Sequence, residues 1–380
     1  MKQNLIGTGH RLGILGGGQL GRMFIQEAIS YNIHVHIMDS NETSPCYNIA
    51  TSFTAGDINN YDDVLAFGST LDVLTVEIEN VNIEALYALE EKGVKVFPQP
   101  RVLEIIKDKG LQKEFYRTHG IPTSGFSLIN ENSDPKEFIS QLPFVQKLRT
   151  GGYDGRGVEV MKSSDDFSNF FQAPSLIEEL IPFEKELSVI VARNEQGQTA
   201  VYPTVECEFN DVNLVEYLFS PADITNEIEE KAKAVAVQVI NSLDMTGILA
   251  VELFLTKDGE ILVNEVAPRP HNSGHHTIEC NITSQFEQHM RSVLNMPLGS
   301  TKMTRFGAMI NVLGSEGYTG KAIYVGLNDI TAKEGVHVHL YGKEETKPHR
   351  KMGHVTVTGS TLEEAKERTS AIKGHLSVIA

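Results

Sequence analysis

The chain contains no tryptophan and only three cysteines, Cys46, Cys207 and Cys280, which lie far apart and form no Cys-x-x-Cys pair. That excludes a disulfide framework and a cysteine-built zinc cluster, and a reducing, cytoplasmic setting is expected. Positive charge is also scarce. Lys and Arg number 33 against 50 Asp and Glu, for a net charge of −17, which argues against a general binder of nucleic acid or acidic membrane. No apolar run is long enough to span a bilayer. The opening MKQNLIGTGHRLGILGGG lacks the continuous apolar stretch and cleavage site expected of an export leader, and repeats and low-complexity tracts are missing too. What remains is 380 residues, 41% apolar and 22% charged. That describes a globular protein of two or three domains with a substantial core. In so acidic a chain, a local cluster of cations points to an anionic ligand.

Residues 251–276 are the most informative stretch. Alternating apolar runs at 251–255 and 261–266 flank Lys257-Asp258-Gly259-Glu260, and Asp-Gly between two such runs signals a hairpin. Each strand carries an acid, Glu252 and Glu265, with Asn264 beside the second. Pairing the strands brings the carboxylates together, and like charges at short range repel unless a cation intervenes. Such hard oxygen ligands suit magnesium shared between carboxylates and substrate phosphates. The alternative is a plain amphipathic hairpin with both acids in solvent. The segment that follows favours a site. Two prolines stiffen it, and Arg269, His271, Asn272 and Ser273 supply a cation, an imidazole, an amide and a hydroxyl, as an anion beside a nucleotide-bound metal requires.

Earlier in the chain, an apolar strand at 11–15 runs into Gly16-Gly17-Gly18-Gln19-Leu20-Gly21 and a helical pattern to about Ser30, and a second strand at 34–38 ends at Asp39. This satisfies the G-x-G-x-x-G dinucleotide fingerprint with its later acid, so a dehydrogenase is the runner-up. A glycine-rich strand-to-helix turn, however, offers N–H groups to any phosphate. A sugar monophosphate near Gln19 and Leu20 is the better reading, ahead of a tight turn with no ligand. A buried-type strand at 71–78 ends in Glu77-Ile78-Glu79-Asn80. Ligands sit at the carboxyl ends of strands in open α/β sheets, which places Glu77 to accept ribose hydroxyls. Glu79 and Asn80 are candidate caps for a helix at 83–91. With a strand at 94–97, the alternation predicts a parallel sheet with helices on its faces.

One helix is expected over 103–118, carrying Lys107, Lys109 and Lys113. A strand at 144–148 embeds Lys147 and runs into Gly151-Gly152-Tyr153-Asp154-Gly155-Arg156-Gly157-Val158, four glycines in seven residues. Such a flap can fold N–H groups over phosphates, exclude water and present Arg156. The G-x-x-x-x-G-K-[ST] spacing is absent, so it is not a P-loop. A strand at 176–181 carries Glu178, Glu179, Leu180 and Ile181. Its edge can read an adenine with main-chain groups and a ribose with a carboxylate, a solvated edge strand being the plainer alternative. Toward the C-terminus, a helix at 284–294 and strands at 308–313 and 336–341 precede a segment holding Lys343, Lys347, Arg350 and Lys351. Four cations there fit a phosphate socket, against a solvated basic turn. The pairs His34-x-His36 and His337-x-His339 read as strand surface, no third ligand being near. A helix at 362–371 closes the chain.

Lys147, the flap, the strand at 177–181 with Glu186, and Glu252 with Asn264-Glu265 stand in the order found in ATP-grasp ligases. More narrowly, GILGGGQLGRM, VEIEN, GGYDGRG, NEVAPRPHNSGHH and YGKEETKPHRKMGH resemble the ATP-dependent 5-(carboxyamino)imidazole ribonucleotide synthetases of purine biosynthesis, over about residues 11–357. The resemblance implies an α/β ATP-grasp fold. It has an N-terminal parallel-sheet domain at 1–107, an ATP-grasp domain at 108–300 with its flap at about 118–180, and a small C-terminal domain at 301–380. It implies ATP and magnesium, two ions, as cofactors, and 5-aminoimidazole ribonucleotide, bicarbonate and ATP as partners of a cytoplasmic homodimer. ATP would phosphorylate bicarbonate to carboxyphosphate, which delivers its carboxyl to the exocyclic amine and leaves ADP and phosphate.

By position, the resemblance sets Lys109 and Lys147 at the ATP phosphates, covered by Gly152, Tyr153, Asp154, Gly155, Arg156, Gly157 and Val158. Glu178, Glu179, Leu180 and Ile181 would bracket adenine, and Glu186 its ribose. Glu252 and Glu265 would ligate magnesium beside Asn264. Arg269 would pair with bicarbonate or carboxyphosphate, His271 would act as base on carboxyphosphate, and Lys343 would assist at the same anion. Gln19, Leu20, Glu77, Tyr153, Asp154, Arg156, Asn272, Ser273, Lys343, Arg350 and Lys351 would surround the ribonucleotide. Two positions depart from the family's pattern. Lys109 stands where Arg is usual, exchanging a bidentate contact for a point charge, and Phe209 stands where His is usual, removing a nucleotide hydrogen bond. Two alternatives remain besides the dehydrogenase: a formate-using glycinamide ribonucleotide transformylase of the same shape, and a nucleotide-binding regulatory protein with a dead site.

Overall fold

The structure, a computed structural model, describes residues 9–152, 157–209 and 215–380. Its first layer is built from β1 (Arg11–Leu15), α1 (Gln19–Ser30), β2 (His34–Asp39), β3 (Ser52–Ala55), α2 (Tyr61–Gly68), β4 (Val73–Val76), α3 (Ile83–Glu91) and β5 (Lys95–Val96). The strands form one parallel sheet in the order β3-β2-β1-β4-β5. β4 is buried along its whole length, as expected of a strand covered on both faces. Leu20, Met23, Phe24 and Ile25 of α1 pack on one face. Val64 and Phe67 of α2 with Leu86 and Leu89 of α3 pack on the other.

The single helix expected over 103–118 is two, α4 (Pro100–Lys107) and α5 (Lys109–Thr118). Asp108 separates them in an extended conformation, φ −112°, ψ 108°. Its carboxylate accepts the Gly110 and Leu111 N–H groups at 2.8 and 3.1 Å and meets the Arg149 guanidinium at 2.6 Å. Apolar periodicity does not register a cap inside a helical run, yet an Asp with donors on both sides is more stable as an N-cap than mid-helix. The break re-aims α5, and with it Lys109 and Lys113, toward the cleft.

Two antiparallel sheets follow. The small one joins β6 (Phe126–Ile129), β7 (Phe144–Leu148), β8 (Val158–Met161) and β9 (Ser175–Glu179) in the order β6-β9-β7-β8. The large one contains β10 (Phe183–Arg193), β11 (Thr199–Val201), β12 (Val205–Phe209), β13 (Val215–Ser220), β14 (Gly247–Thr256), β15 (Ile261–Ala267) and β16 (Phe306–Leu313), extended by strands Lys351–Gly359 and Val336–Leu340. α6 (Asn226–Ser242), capped by Thr225, backs this sheet through Ala232, Ala236, Val239 and Ile240. α7 (Thr277–Cys280) and α8 (Gln285–Val293) return the chain to the first layer. Phe286, Met290 and Val293 of α8, and Tyr341 from the C-terminal third, share a core with Leu12, Ile14 and Phe24. The cleft lies where the three parts meet.

β14 and β15 form the expected hairpin, with Glu252 directly opposite Glu265. The next pair is Leu253 with Val263, so Asn264 is an extra residue bulged out of β15. A bulge re-aims a side chain. Here it lets both Asn264 and Glu265 face the cleft, while Val263 keeps its place in the core behind it.

Because Asp108 both caps α5 and holds Arg149, Asp108→Ala should lower the unfolding free energy by about 1–2 kcal/mol. Urea denaturation should show this as a lower midpoint at unchanged slope.

Candidate active site

Glu252 and Glu265 stand at the cleft floor with side-chain exposures of 27% and 40%. Lys109, from the first turn of α5, closes on the Glu265 carboxylate. That contact holds Glu265 well below the ordinary carboxylate range against the effect of burial. Burial, with the neighbouring charges of Glu265 and Glu186, pushes Glu252 up. His271 Nε2 lies 3.4 Å from Glu252 Oε1. A pair of opposed acids flanked by an ammonium and an imidazole is already organised around positive charge, and its donors are hard oxygens. Among the described residues no group of three or more His, Cys, Asp and Glu converges on one point. Glu252 and Glu265 alone could supply part of a shell to a hard cation, the remainder having to come from phosphates and water.

The cations above this floor come from two elements. Lys147 of β7 donates to Asn264 Oδ1 at 2.8 Å and lies 3.3 Å from Glu178. Lys113 of α5 also lies 3.3 Å from Glu178 and donates to Thr123 and Ser124 at 2.6 and 2.9 Å. Burial lowers Lys113 to about 8. Burial would raise the Glu178 pKa, but Lys147, Lys113 and the Ser124 hydroxyl more than offset it and leave it below the ordinary range. Glu178 is thus committed to fixing two lysines. Glu179, exposed, and Leu180 and Ile181, half-buried, follow at the turn between the sheets, with the Glu179 N–H donating to the Gly125 carbonyl and the Ile181 carbonyl accepting the Phe183 N–H, both at 2.9 Å. Glu186 faces the same cleft from β10, raised to about 7 by burial.

The loop after β15 is held by a residue the sequence reading did not single out. The fully buried Gln285 carboxamide accepts the His271 N–H at 2.9 Å, donates to the His271 carbonyl at 2.8 Å and contacts His275 Nδ1 at 3.0 Å. A Cβ on Gly274 would run into it, which explains a glycine there. Ser273, 1% exposed, turns its hydroxyl to His271 Nδ1 at 2.9 Å and to Ser188 of β10 at 2.8 Å. It orients the imidazole rather than facing the cleft. The Ser273 N–H donates to Nδ1 at 3.3 Å, so the ring's own proton belongs on Nε2, the atom beside Glu252. Asn272 is half-buried in the same turn. Arg269 reaches the first domain, its Nε 2.9 Å from Glu79 Oε1.

The glycine-rich turn differs from expectation. Its N–H groups are already engaged: Gly17 donates to Asp39 at 2.7 Å, Leu20 to Glu77 at 2.9 Å, and Gly18 also to Glu77. The Gly17, Gly18 and Leu20 N–H groups are therefore not offered to a pyrophosphate, and the acid that would hold a dinucleotide's ribose is tied to Gly17. A sugar monophosphate near Gln19 and Leu20 would likewise find these three donors taken. Leu20 is buried, and Gln19 keeps an accessible side chain. The helix at 83–91 is capped by Asn82, which accepts the Ala85 N–H at 2.8 Å, and not by Glu79 or Asn80. Across from this turn, Lys343 donates to the Lys351 carbonyl at 2.7 Å and is lowered to about 8, mainly by burial with Arg350 nearby. Arg350 donates to the Glu345 carbonyl at 2.8 Å. Gly152, Gly157 and Val158 border the flap; Tyr153, Asp154, Gly155 and Arg156 lie outside the described residues. The His-x-His pairs do not converge on a metal: His36 meets Ser52, His339 meets Glu279 and His337 meets Thr358.

Comparison with known proteins agrees with this arrangement. Residues 10–107 match the ribonucleotide synthetase preATP-grasp domain, residues 114–286 the ATP-grasp domain, and residues 307–368 the phosphoribosylaminoimidazole carboxylase C-terminal domain. The chain is 35% identical over 363 residues to the N5-carboxyaminoimidazole ribonucleotide synthase of Bacillus subtilis, covering 94% of this chain and 93% of that one. The crystal structure of the N5-carboxyaminoimidazole ribonucleotide synthetase from Thermotoga maritima superposes with a TM-score of 0.91 at 40% identity, over 98% and 99% of the two chains. The Aspergillus clavatus synthase, in complex with ADP and 5-aminoimidazole ribonucleotide, gives 0.88 at 32%, over 96% and 97%. Of the plant and yeast phosphoribosylaminoimidazole carboxylases it also matches, the chain spans 66 to 70% of the length. No helix among the described residues is long and apolar enough to cross a membrane.

Glu186 carries a testable penalty. Its carboxyl is raised from 4.5 to about 7, so folding favours its protonated form. The penalty is absent below about pH 4.5, grows between there and about pH 7, and is complete above. Glu186→Gln should therefore melt a few degrees above the unsubstituted protein at pH 8, with the gap closing toward pH 4.5, as followed by scanning calorimetry without nucleotide.

Proposed function

Because the chain belongs to the family of N5-carboxyaminoimidazole ribonucleotide synthases, which are ATP-grasp ligases, we propose that it uses ATP to carboxylate 5-aminoimidazole ribonucleotide with bicarbonate in purine biosynthesis. The products are N5-carboxyaminoimidazole ribonucleotide, ADP and phosphate, with carboxyphosphate as the intermediate. The observation that carries this reading is the opposed pair Glu252 and Glu265, with Lys109 and Lys147 on one side and His271 on the other.

Lys147 and Lys109 hold the triphosphate, and Glu186 and the main chain at 179–181 hold its nucleoside. Magnesium fits the two carboxylates and, when bound, would neutralise charge on the β- and γ-phosphates. Arg269 binds bicarbonate and then the acyl phosphate, as a planar donor fork suited to carbonate and phosphate oxygens. His271, fixed through Nδ1 by Ser273, presents Nε2 to the reacting anion, and the proton is held or moved at that atom. Lys343 supplies a second charge, with Arg350 and Lys351 on the ribonucleotide's side. The engaged N–H groups of the glycine turn support these cations, rather than the turn, as the seat of the substrate phosphate. The same reading includes a cytoplasmic homodimer, which light scattering checks.

ADP release should require both 5-aminoimidazole ribonucleotide and bicarbonate. Formate in place of bicarbonate should not support it, and no change in NADH absorbance should accompany it. ADP release supported by formate would assign the chain to the transformylases instead. His271→Asn should reduce carboxylated product roughly 10²- to 10⁴-fold while ATP affinity stays within about twofold; equal losses in both would remove His271 from the chemistry. With Lys343 lowered to about 8, its charge is present below that pH and lost above it. The KM for the ribonucleotide should therefore rise above pH 8, and Lys343→Arg should move that rise to higher pH.

A further inference from the structure

Arg269 stands between Pro268 and Pro270, two residues beyond the end of β15, so its backbone has little freedom. Its side chain crosses to the first domain. Nε meets Glu79 Oε1 at 2.9 Å, and Nη1 donates to the Pro270 carbonyl at 3.1 Å. Both side chains of the pair are 21% exposed, so this is not a loose surface contact. An ion pair to one domain and a hydrogen bond within the other hold a guanidinium whose five donors form a rigid fork, although Nε itself makes no aligned hydrogen bond. With Nε turned to Glu79 and Nη1 on the Pro270 carbonyl, the rest of the Nη edge is left for an anion. Among the described residues Glu79 has no other side-chain partner, and the helix it precedes is capped by Asn82. Two residues before it, Glu77 closes the glycine turn and is close enough to Lys343 to raise its pKa. The 77–79 segment thus spans from the cations assigned to the ribonucleotide to the cation assigned to the acyl phosphate.

We infer that Glu79 is a positioning residue. Its carboxylate sets the orientation of Arg269, so that the acyl phosphate is held only in register with an acceptor seated on the first domain. The inference rests on the carboxylation reading above. If Arg269 is free to swing, the acyl phosphate forms but is hydrolysed, water taking the place of the amine and returning bicarbonate and phosphate. ATP is then consumed without product.

The test compares full-length wild type, Glu79→Gln and Glu79→Asp for ADP released, product formed, KM values and melting temperature. Glu79→Gln should raise the bicarbonate KM roughly tenfold, the effect of losing one charge-assisted contact. It should also drop product per ADP well below the wild-type ratio, leaving ATP KM and melting temperature unchanged. Glu79→Asp should recover part of both losses. A Glu79→Gln enzyme with unaltered bicarbonate KM and unaltered product per ADP would overturn the inference, as would a uniform loss of activity matched by a lower melting temperature. Wild-type ADP release indifferent to bicarbonate would instead overturn the carboxylation reading, and this inference with it.

Discussion

Two carboxylates facing each other across neighbouring strands, half-buried, cannot both stay charged without positive charge close by. The Glu252–Glu265 pair imposes that requirement, and much of the surrounding structure meets it. Asp108 breaks a helix so that Lys109 reaches Glu265. Glu178 holds Lys113 and Lys147 in place beside the pair. Gln285 and Ser273 grip the loop that brings His271 to Glu252. Each of these supports is itself buried or half-buried, so losing Asp108 or Glu178 leaves its cations without their partner.

The site is also a product of how the three parts interlock. Tyr341 and the apolar face of α8 complete the core of the first layer. The C-terminal basic segment and the His271 loop are therefore held against the parallel sheet by hydrophobic packing, not by polar contacts alone. Polar contacts add to it, as in Tyr31 with Arg291 at 2.9 Å and Thr75 with His289 at 3.0 Å. Groups drawn from residues 77 to 350 thereby come to face one cleft.

The parts of this visible in the sequence were those with a local signature. Asp-Gly between alternating runs marked the β14–β15 hairpin, and the apolar runs at 11–15 and 34–38 marked β1 and β2. Thr225 followed by Ala232, Ala236, Val239 and Ile240 at helical spacing is a local signature of α6 as well, although no helix was expected there. What stayed hidden depends on partners distant in the chain. The bulge at Asn264 appears only when β15 is laid against β14. The break at Asp108 is secured by Arg149, 41 residues away. The roles of Gln285 and Ser188 exist only once the His271 loop has folded back onto α8 and β10. The three-residue β11 takes its form from β10 rather than from its own composition.

The glycine-rich turn holds a wider lesson. Viewed along the chain it is three glycines, a helix and a later acid, the pattern by which nucleotide cofactors are usually inferred. In space its donors are satisfied from within by a carboxylate that arrives on the neighbouring strand. Such a motif is self-liganded, and the feature that distinguishes it is an acid at the mouth of the adjacent strand, far outside the window any pattern scan inspects. Surveys that assign cofactors from the fingerprint alone would misfile chains of this kind unless they also ask what the next strand delivers to the helix end.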